Sequence, residues 1–163
     1  MKLAKKISQI LLIALAMAVG PSPALGGSAG AASSTEVVQL QGTFHTQTLF
    51  CPDDPTNPEC FIDGYTSGPL QPGTYRLETL VRDESDPVWN YRDKVTINGP
   101  FGTFVGEERG FVVVDAGKFV GTATLTSTDG CGSTIHLVNN GTIDLNTFED
   151  DGTYTGVLIK KTC

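Results

Sequence analysis

Residues 100–128, PFGTFVGEERGFVVVDAGKFVGTATLTST, decide how this chain folds. Val, Thr and Phe fill the stretch, Ala116-Gly117 turns it, and residues 118–128 return as a second strand. The first half reads as strands at 102–105 and 110–115, or as one long bent strand. Segments on both sides repeat the design. Upstream, residues 36–50 (EVVQLQGTFHTQTLF) put Val38, Leu40, Phe44 and Phe50 on one parity, with Gln39, Gln41, Thr43, His45 and Gln47 on the other. That is the period of a strand with one face in a core. Gly42 predicts a bend or bulge there.

Residues 51–60, CPDDPTNPEC, hold three Pro and three acids and cannot form a regular element. They read as a loop, and their acids lack the spacing of a calcium-binding EF-hand. A short strand within 61–70 precedes the turn Gln71-Pro72-Gly73. Residues 74–82 alternate with Tyr75, Leu77, Thr79 and Val81 on one side, and 83–87 form a polar turn. Residues 88–97 then set Trp89, Tyr91, Asp93, Val95 and Ile97 on a shared face before Asn98-Gly99-Pro100 turns the chain. Downstream, Thr128-Asp129-Gly130, Asn139-Asn140-Gly141 and Asp150-Asp151-Gly152 predict tight turns. They would separate strands at 118–128, 133–138, 142–148 and 153–161. No amphipathic helix stands outside the N-terminus. The expected fold is all-β: a single antiparallel, mostly up-and-down barrel of about eight strands, with a β-sandwich as the alternative.

The N-terminus reads differently. Lys2, Lys5 and Lys6 precede an apolar run at 7–19, and small residues follow to Ala32. This is the layout of a secretory signal peptide, and the run is short of the roughly 20 residues a spanning helix needs. Cleavage after Gly26 or Ala31 fits, the later site better, so 1–31 is assigned as leader and 32–163 as the barrel domain. The expected location is secreted or periplasmic. Loss of the leader leaves eight Lys and Arg against eighteen Asp and Glu, near −10. Such a domain lacks the clustered positive charge that nucleic acid or an anionic membrane requires.

Four Cys lie in the exported part, at 51, 60, 131 and 163. An even count in an oxidising compartment suggests two disulfides, with three pairings open. Cys51–Cys60, pinning the Pro-rich loop, and Cys131–Cys163 are favoured. The Cys spacing and two lone His, His45 and His136, give no metal-site pattern, and no metal or cofactor is expected.

At GTFVGEERGF, residues 102–111, the chain resembles small bacterial proteins that belong with the allene-oxide-cyclase-like barrels. There a G-T-F-x-G-x-E-R-like segment precedes a hairpin and Gly-rich strands. The dirigent proteins share that architecture. The resemblance spans roughly 42–159 in general pattern, and about ten residues carry its specificity. It implies an eight-stranded antiparallel barrel with an interior cavity and, as in some relatives, cofactor-free cyclisation of hydrophobic substrates. The export signal and the four Cys depart from the intracellular members.

Candidate chemistry follows from side-chain direction. Glu107 and Glu108 lie between apolar strand segments; one of them facing a cavity would be desolvated and become a general acid or base. Arg109 could equally hold it ionised, and the preferred reading is a bulge or turn in which all three charges are solvated. His45, on the polar parity, is the third catalytic candidate if that parity lines a wet interior. Trp89, Tyr91, Arg109 and Phe104 are candidate ligand contacts, the aromatics offering stacking to a planar apolar molecule or plain core packing. No nucleophile elbow or dinucleotide fingerprint is present, and Asn140-Gly141-Thr142 matches a glycosylation sequon but is better explained as a turn. Three functions compete: a barrel binding a small apolar or aromatic ligand, a cofactor-free isomerase or cyclase, and a structural protein without a cavity. A cavity of about 300 Å³ or more would favour the first. The sequence leaves the oligomeric state open.

Overall fold

A computed structural model of the chain describes residues 34–49, 60–85, 87–147 and 149–163. The expected leader, 1–31, lies outside them, as does the proposed Cys51–Cys60 pairing. Among the described residues no helix is long and apolar enough to cross a membrane.

Eight strands run in sequence order: β1 Thr35–Leu49, β2 Cys60–Tyr65, β3 Thr74–Asp83, β4 Val88–Gly99, β5 Gly102–Val113, β6 Lys118–Ser127, β7 Thr134–Asp144 and β8 Glu149–Lys161. Each pairs antiparallel with the next, and β8 returns to β1 so that the sheet closes as an up-and-down barrel. Closure leaves no long unpaired edge, which open sheets must protect by other means. The alternative of two packed sheets is not adopted. Every strand therefore has one face inside and one outside, and the alternation in the sequence maps onto it, except in β3. There a register shift between Thr79 and Val81 breaks the expected shared face: Val81 is exposed and Arg82 borders the interior instead. In β6, Phe119, Ala123 and Leu125 are buried while Lys118, Val120, Thr122 and Thr124 are exposed.

Several local readings are corrected. The central GEERG is no break: β5 is one continuous strand whose Glu108 points inward between outward Glu107 and Arg109. Gly42 makes no bulge, because β1 and β8 keep unbroken register past it, Gly42 opposite Tyr154. A Cβ there would collide with the Ser67 carbonyl and the Tyr154 ring, so close approach is what selects Gly. Of the three Asn/Asp-Gly turns, only that at Asp129-Gly130 is one. Asn139-Asn140-Gly141 and Asp150-Asp151-Gly152 lie within β7 and β8, with Gly141 directly opposite Gly152. A Cβ on Gly141 would strike the Asp151 backbone, and Gly152 lies beneath the Phe44 ring. The chain instead turns between β7 and β8 after Asp144, at residues 145–147.

The two ends of the barrel differ. At the end carrying the β2–β3 connection, Leu70 is buried from the loop side. The buried Tyr154 hydroxyl donates to the Ser67 carbonyl at 2.9 Å and accepts from the Leu70 amide at 3.4 Å. These bonds hold the loop over an interior filled by residues that include Leu40, Ile97, Phe104, Leu125, Ile135 and Leu158. Phe104, a candidate ligand contact, is therefore packed in the core. Cys131 and Cys163 are bonded at this same end, tying the chain beyond β8 to the β6–β7 turn across 32 residues of sequence.

Closing a loop of that length constrains the unfolded chain, by an effect on the order of 3 kcal/mol. A Cys131→Ser/Cys163→Ser variant is expected to keep the barrel's circular dichroism spectrum and lose about that much in denaturant unfolding. Unchanged stability would show that the bond does not restrain the chain.

Candidate functional site

The opposite end, where β3 meets β4, β5 meets β6 and β7 meets β8, is less fully packed. A cavity of about 70 Å³ lies there, lined by residues that include Trp89, Tyr91, Asp93, Glu108, Phe119 and Asp150. It is smaller than the 300 Å³ that would enclose a typical ligand whole, so it can take part of a molecule while the rest stays outside.

Its chemistry comes from inward positions occupied by polar residues. In β4, Trp89, Tyr91 and Asp93 fall on the face that deeper in the barrel carries Val95 and Ile97, both buried. In β5 the inward series is Phe104, Gly106, Glu108, Gly110 and Val112. Register sets Asp93 directly opposite Glu108, so two carboxyls share one side of the cavity. Asp150, third in this set, enters from the start of β8.

Glu108 is 3% exposed. Its Oε1 accepts from the Tyr91 hydroxyl at 3.0 Å and its Oε2 from Asn139 Nδ2 at 2.8 Å. Burial pushes its pKa up to about 7; the two hydrogen bonds oppose the rise, and the charges of Asp93 and Asp150 add to it. Asp150 likewise rises to about 7, chiefly by burial, against the Thr46 hydrogen bond and His45, and with Asp151 contributing to the rise. Thr46 Oγ1 donates to its Oδ2 at 3.3 Å, whereas its buried Oδ1 has no hydrogen-bond partner among the described residues. Burial and then Glu108 raise the Tyr91 hydroxyl well above the usual phenol range, so Tyr91 remains a donor.

Two glycines make room for this arrangement. Gly110 and Gly121 pair across β5 and β6, and a Cβ on either would collide with the Tyr91 hydroxyl; on Gly121 it would also meet the Glu108 carboxyl. The floor under the Tyr91–Glu108 bond is bare backbone.

The remaining sequence candidates do not reach the cavity. Glu107 and Arg109 are on the outer face, where they pair with each other at 3.1 Å with side chains 47% and 68% exposed. They are neighbours of Glu108 in sequence and, by strand alternation, opposite to it in direction. His45 is also outside, 3.0 Å from Asp151 directly across the β1–β8 ladder. His136 is exposed beside Thr124. Of the proposed site residues, Glu108, Trp89 and Tyr91 are brought together. Sequence reasoning missed Asn139 and Asp150 because each opens an apparent turn motif, and it gave no role to Asp93, although it placed Asp93 on the Trp89 and Tyr91 face. The parity of Ile135, Leu137 and Asn139, and of Asp150, Gly152 and Tyr154, was the available signal.

At neutral pH Glu108 is thus divided between acid and carboxylate, and can give or take a proton. No three His, Cys, Asp or Glu side chains among the described residues are grouped to hold a metal ion. Comparison with protein-family profiles, curated proteins and solved structures finds no match to this chain.

The raised carboxyls dictate how stability changes with pH. An acid with a folded pKa of about 7 and an unfolded value near its ordinary ~4.5 stabilises the fold fully below ~4.5. That contribution is lost as pH rises through 7, about 3 kcal/mol for Glu108 alone. Unfolding midpoints are expected to fall between pH 5 and pH 8, and Glu108→Gln should flatten the fall. A midpoint that rises over this range would contradict the burial of these acids. Gly121→Ala is expected to cost roughly 1–3 kcal/mol by overpacking, measured by denaturant unfolding; no loss would mean that the Tyr91–Glu108 pair does not lie on Gly121.

Proposed function

We propose that the less packed end of the barrel is a small-molecule site in which Glu108 acts as general acid and base, in a cofactor-free isomerisation or cyclisation of a small, partly apolar substrate. The observation that carries this reading is Glu108 itself: buried, at the cavity, held by Tyr91 and Asn139, with a pKa of about 7. A carboxylate there takes a proton from one position of a substrate, and the acid so formed returns it at another. The net change is a rearrangement that consumes no cofactor. Trp89, Tyr91 and Phe119 supply apolar walls that orient the substrate and exclude water. The resemblance at residues 102–111 to the allene-oxide-cyclase-like barrels supports the same class, because Glu108 is within the matching segment.

A second reading is binding of a small apolar or aromatic ligand without chemistry, favoured by those same rings. The 70 Å³ volume argues for a ligand that is held by one end. The leader-like residues 1–31, together with the Cys131–Cys163 bond, support export to a secreted or periplasmic location, since disulfides persist in oxidising compartments.

A substrate-independent probe separates the readings. Base-promoted ring opening of 5-nitrobenzisoxazole needs only one positioned carboxylate beside an apolar wall. Glu108 is expected to accelerate it at least tenfold over free acetate at equal concentration, with a rate that rises through pH 7 and is lost in Glu108→Gln. Equal rates for the parent protein and Glu108→Gln would sink the catalytic proposal and leave binding.

A further inference from the structure

Three carboxyls border the cavity, Asp93 from β4, Glu108 from β5 and Asp150 from β8, against one guanidinium, Arg82 from β3. The remaining wall is aromatic and aliphatic: Trp89, Tyr91, Tyr75, Phe119, Val112 and Leu145 among others. Burial of acids at such a density is unfavourable unless they are protonated or meet positive charge. One of them carries an unsatisfied buried polar atom, since Asp150 Oδ1 has no hydrogen-bond partner among the described residues. Among the described residues these acids do not converge as a metal site requires. Carboxyls spread around an aromatic wall suit a diffuse organic cation better than a point ion, because Trp and Tyr faces attract ammonium groups while their rings bury the attached apolar part.

From this combination we propose that the cavity recognises an organic cation, a protonated amine carried on a small apolar or aromatic group. This deepens the proposed function and rests on its small-molecule site. The ammonium group is placed among Asp93, Glu108 and Asp150, and the apolar group lies against Trp89 and its neighbours. Binding is coupled to proton release. Below pH 7 a cation that enters favours the carboxylate forms, so protons leave as the amine binds. The titratable and charged groups that bear on this are Tyr91 and Asp93 from β4, Arg82 from β3 and Asp150 from β8, with Asp151 of β8 and His45 of β1 acting on Asp150 from outside. From β7 Glu108 meets the neutral Asn139, and from β6 the bare Gly121.

Isothermal titration of the intact protein with benzylammonium, benzyl alcohol and benzoate compares one ring carrying three charges. Benzylammonium is expected to bind at least tenfold tighter than benzyl alcohol at pH 7.5. The margin should shrink at pH 5.5 and in Asp150→Asn, and at pH 6 two buffers of different ionisation enthalpy should reveal proton release. Equal binding of ammonium and alcohol, tighter binding of benzoate, or binding of none of the three would overturn the proposal. These comparisons use the parent protein, so they stand even where a substituted variant fails to fold. The result is also independent of the nitrobenzisoxazole reaction: base activity without ammonium preference rejects the cation and keeps the catalyst, and the reverse pattern does the opposite.

Discussion

The β1–β8 ladder, from Thr35 opposite Lys161 to Thr46 opposite Asp150, is the constraint on which the rest of the molecule depends. Once those strands pair, the sheet has no edge, and every second residue of each regular strand must face the interior, with β3 shifting parity at its bulge after Thr79. A polar side chain at an inward position then reaches bulk water only through an end of the barrel. Otherwise it must be satisfied by another inward group or change its protonation state. The barrel accepts such residues near one end only. The other end is sealed by Leu70 and by Tyr154, whose hydroxyl anchors the β2–β3 loop.

From that asymmetry the site follows. Apolar packing at the sealed end supplies the stability that allows Asp93, Glu108 and Asp150 to remain inside at the other. The hydrogen bonds from Tyr91 and Asn139 meet both oxygens of Glu108 without adding positive charge, so they orient the carboxyl yet leave burial as the dominant influence on its proton. A cationic donor at the oxygen that Asn139 meets would instead drive the carboxyl to its ionised form. Neutral donors, bare glycine backbone beneath and aromatic walls beside it together keep one acid near neutrality at a place a small molecule can reach.

Much of this was legible in the residues. Strict alternation in β4 and β6, with turn residues between strands, was enough for an all-β fold of about eight strands, with a barrel preferred to a sandwich, and for the shared face of Trp89 and Tyr91. The failures have one physical origin. Asn or Asp before Gly signals a hairpin because both accept positive φ, but Gly also serves wherever backbone or a ring approaches closely. Gly141, packed against the Asp151 backbone, and Gly152, beneath Phe44, are of the second kind. Local sequence cannot separate the two uses, since the partner is supplied by a different strand. The choice between Glu107 and Glu108 was equally hidden. Adjacent strand residues point in opposite directions, and only the register of the whole strand decides which is inside. Continued inward parity from Phe104 through Val112 settles it for Glu108.

Glu108 is the centre of the site: a carboxyl that is buried, held by neutral donors and poised near pH 7. The most direct measurement is the side-chain carboxyl ¹³C chemical shift of Glu108, followed by NMR between pH 4 and pH 9 and assigned by its disappearance in Glu108→Gln. A transition centred near 7 is expected, displaced when Asn139→Leu removes one neutral donor. A transition centred near the ordinary glutamate value would contradict this and place Glu108 in contact with water.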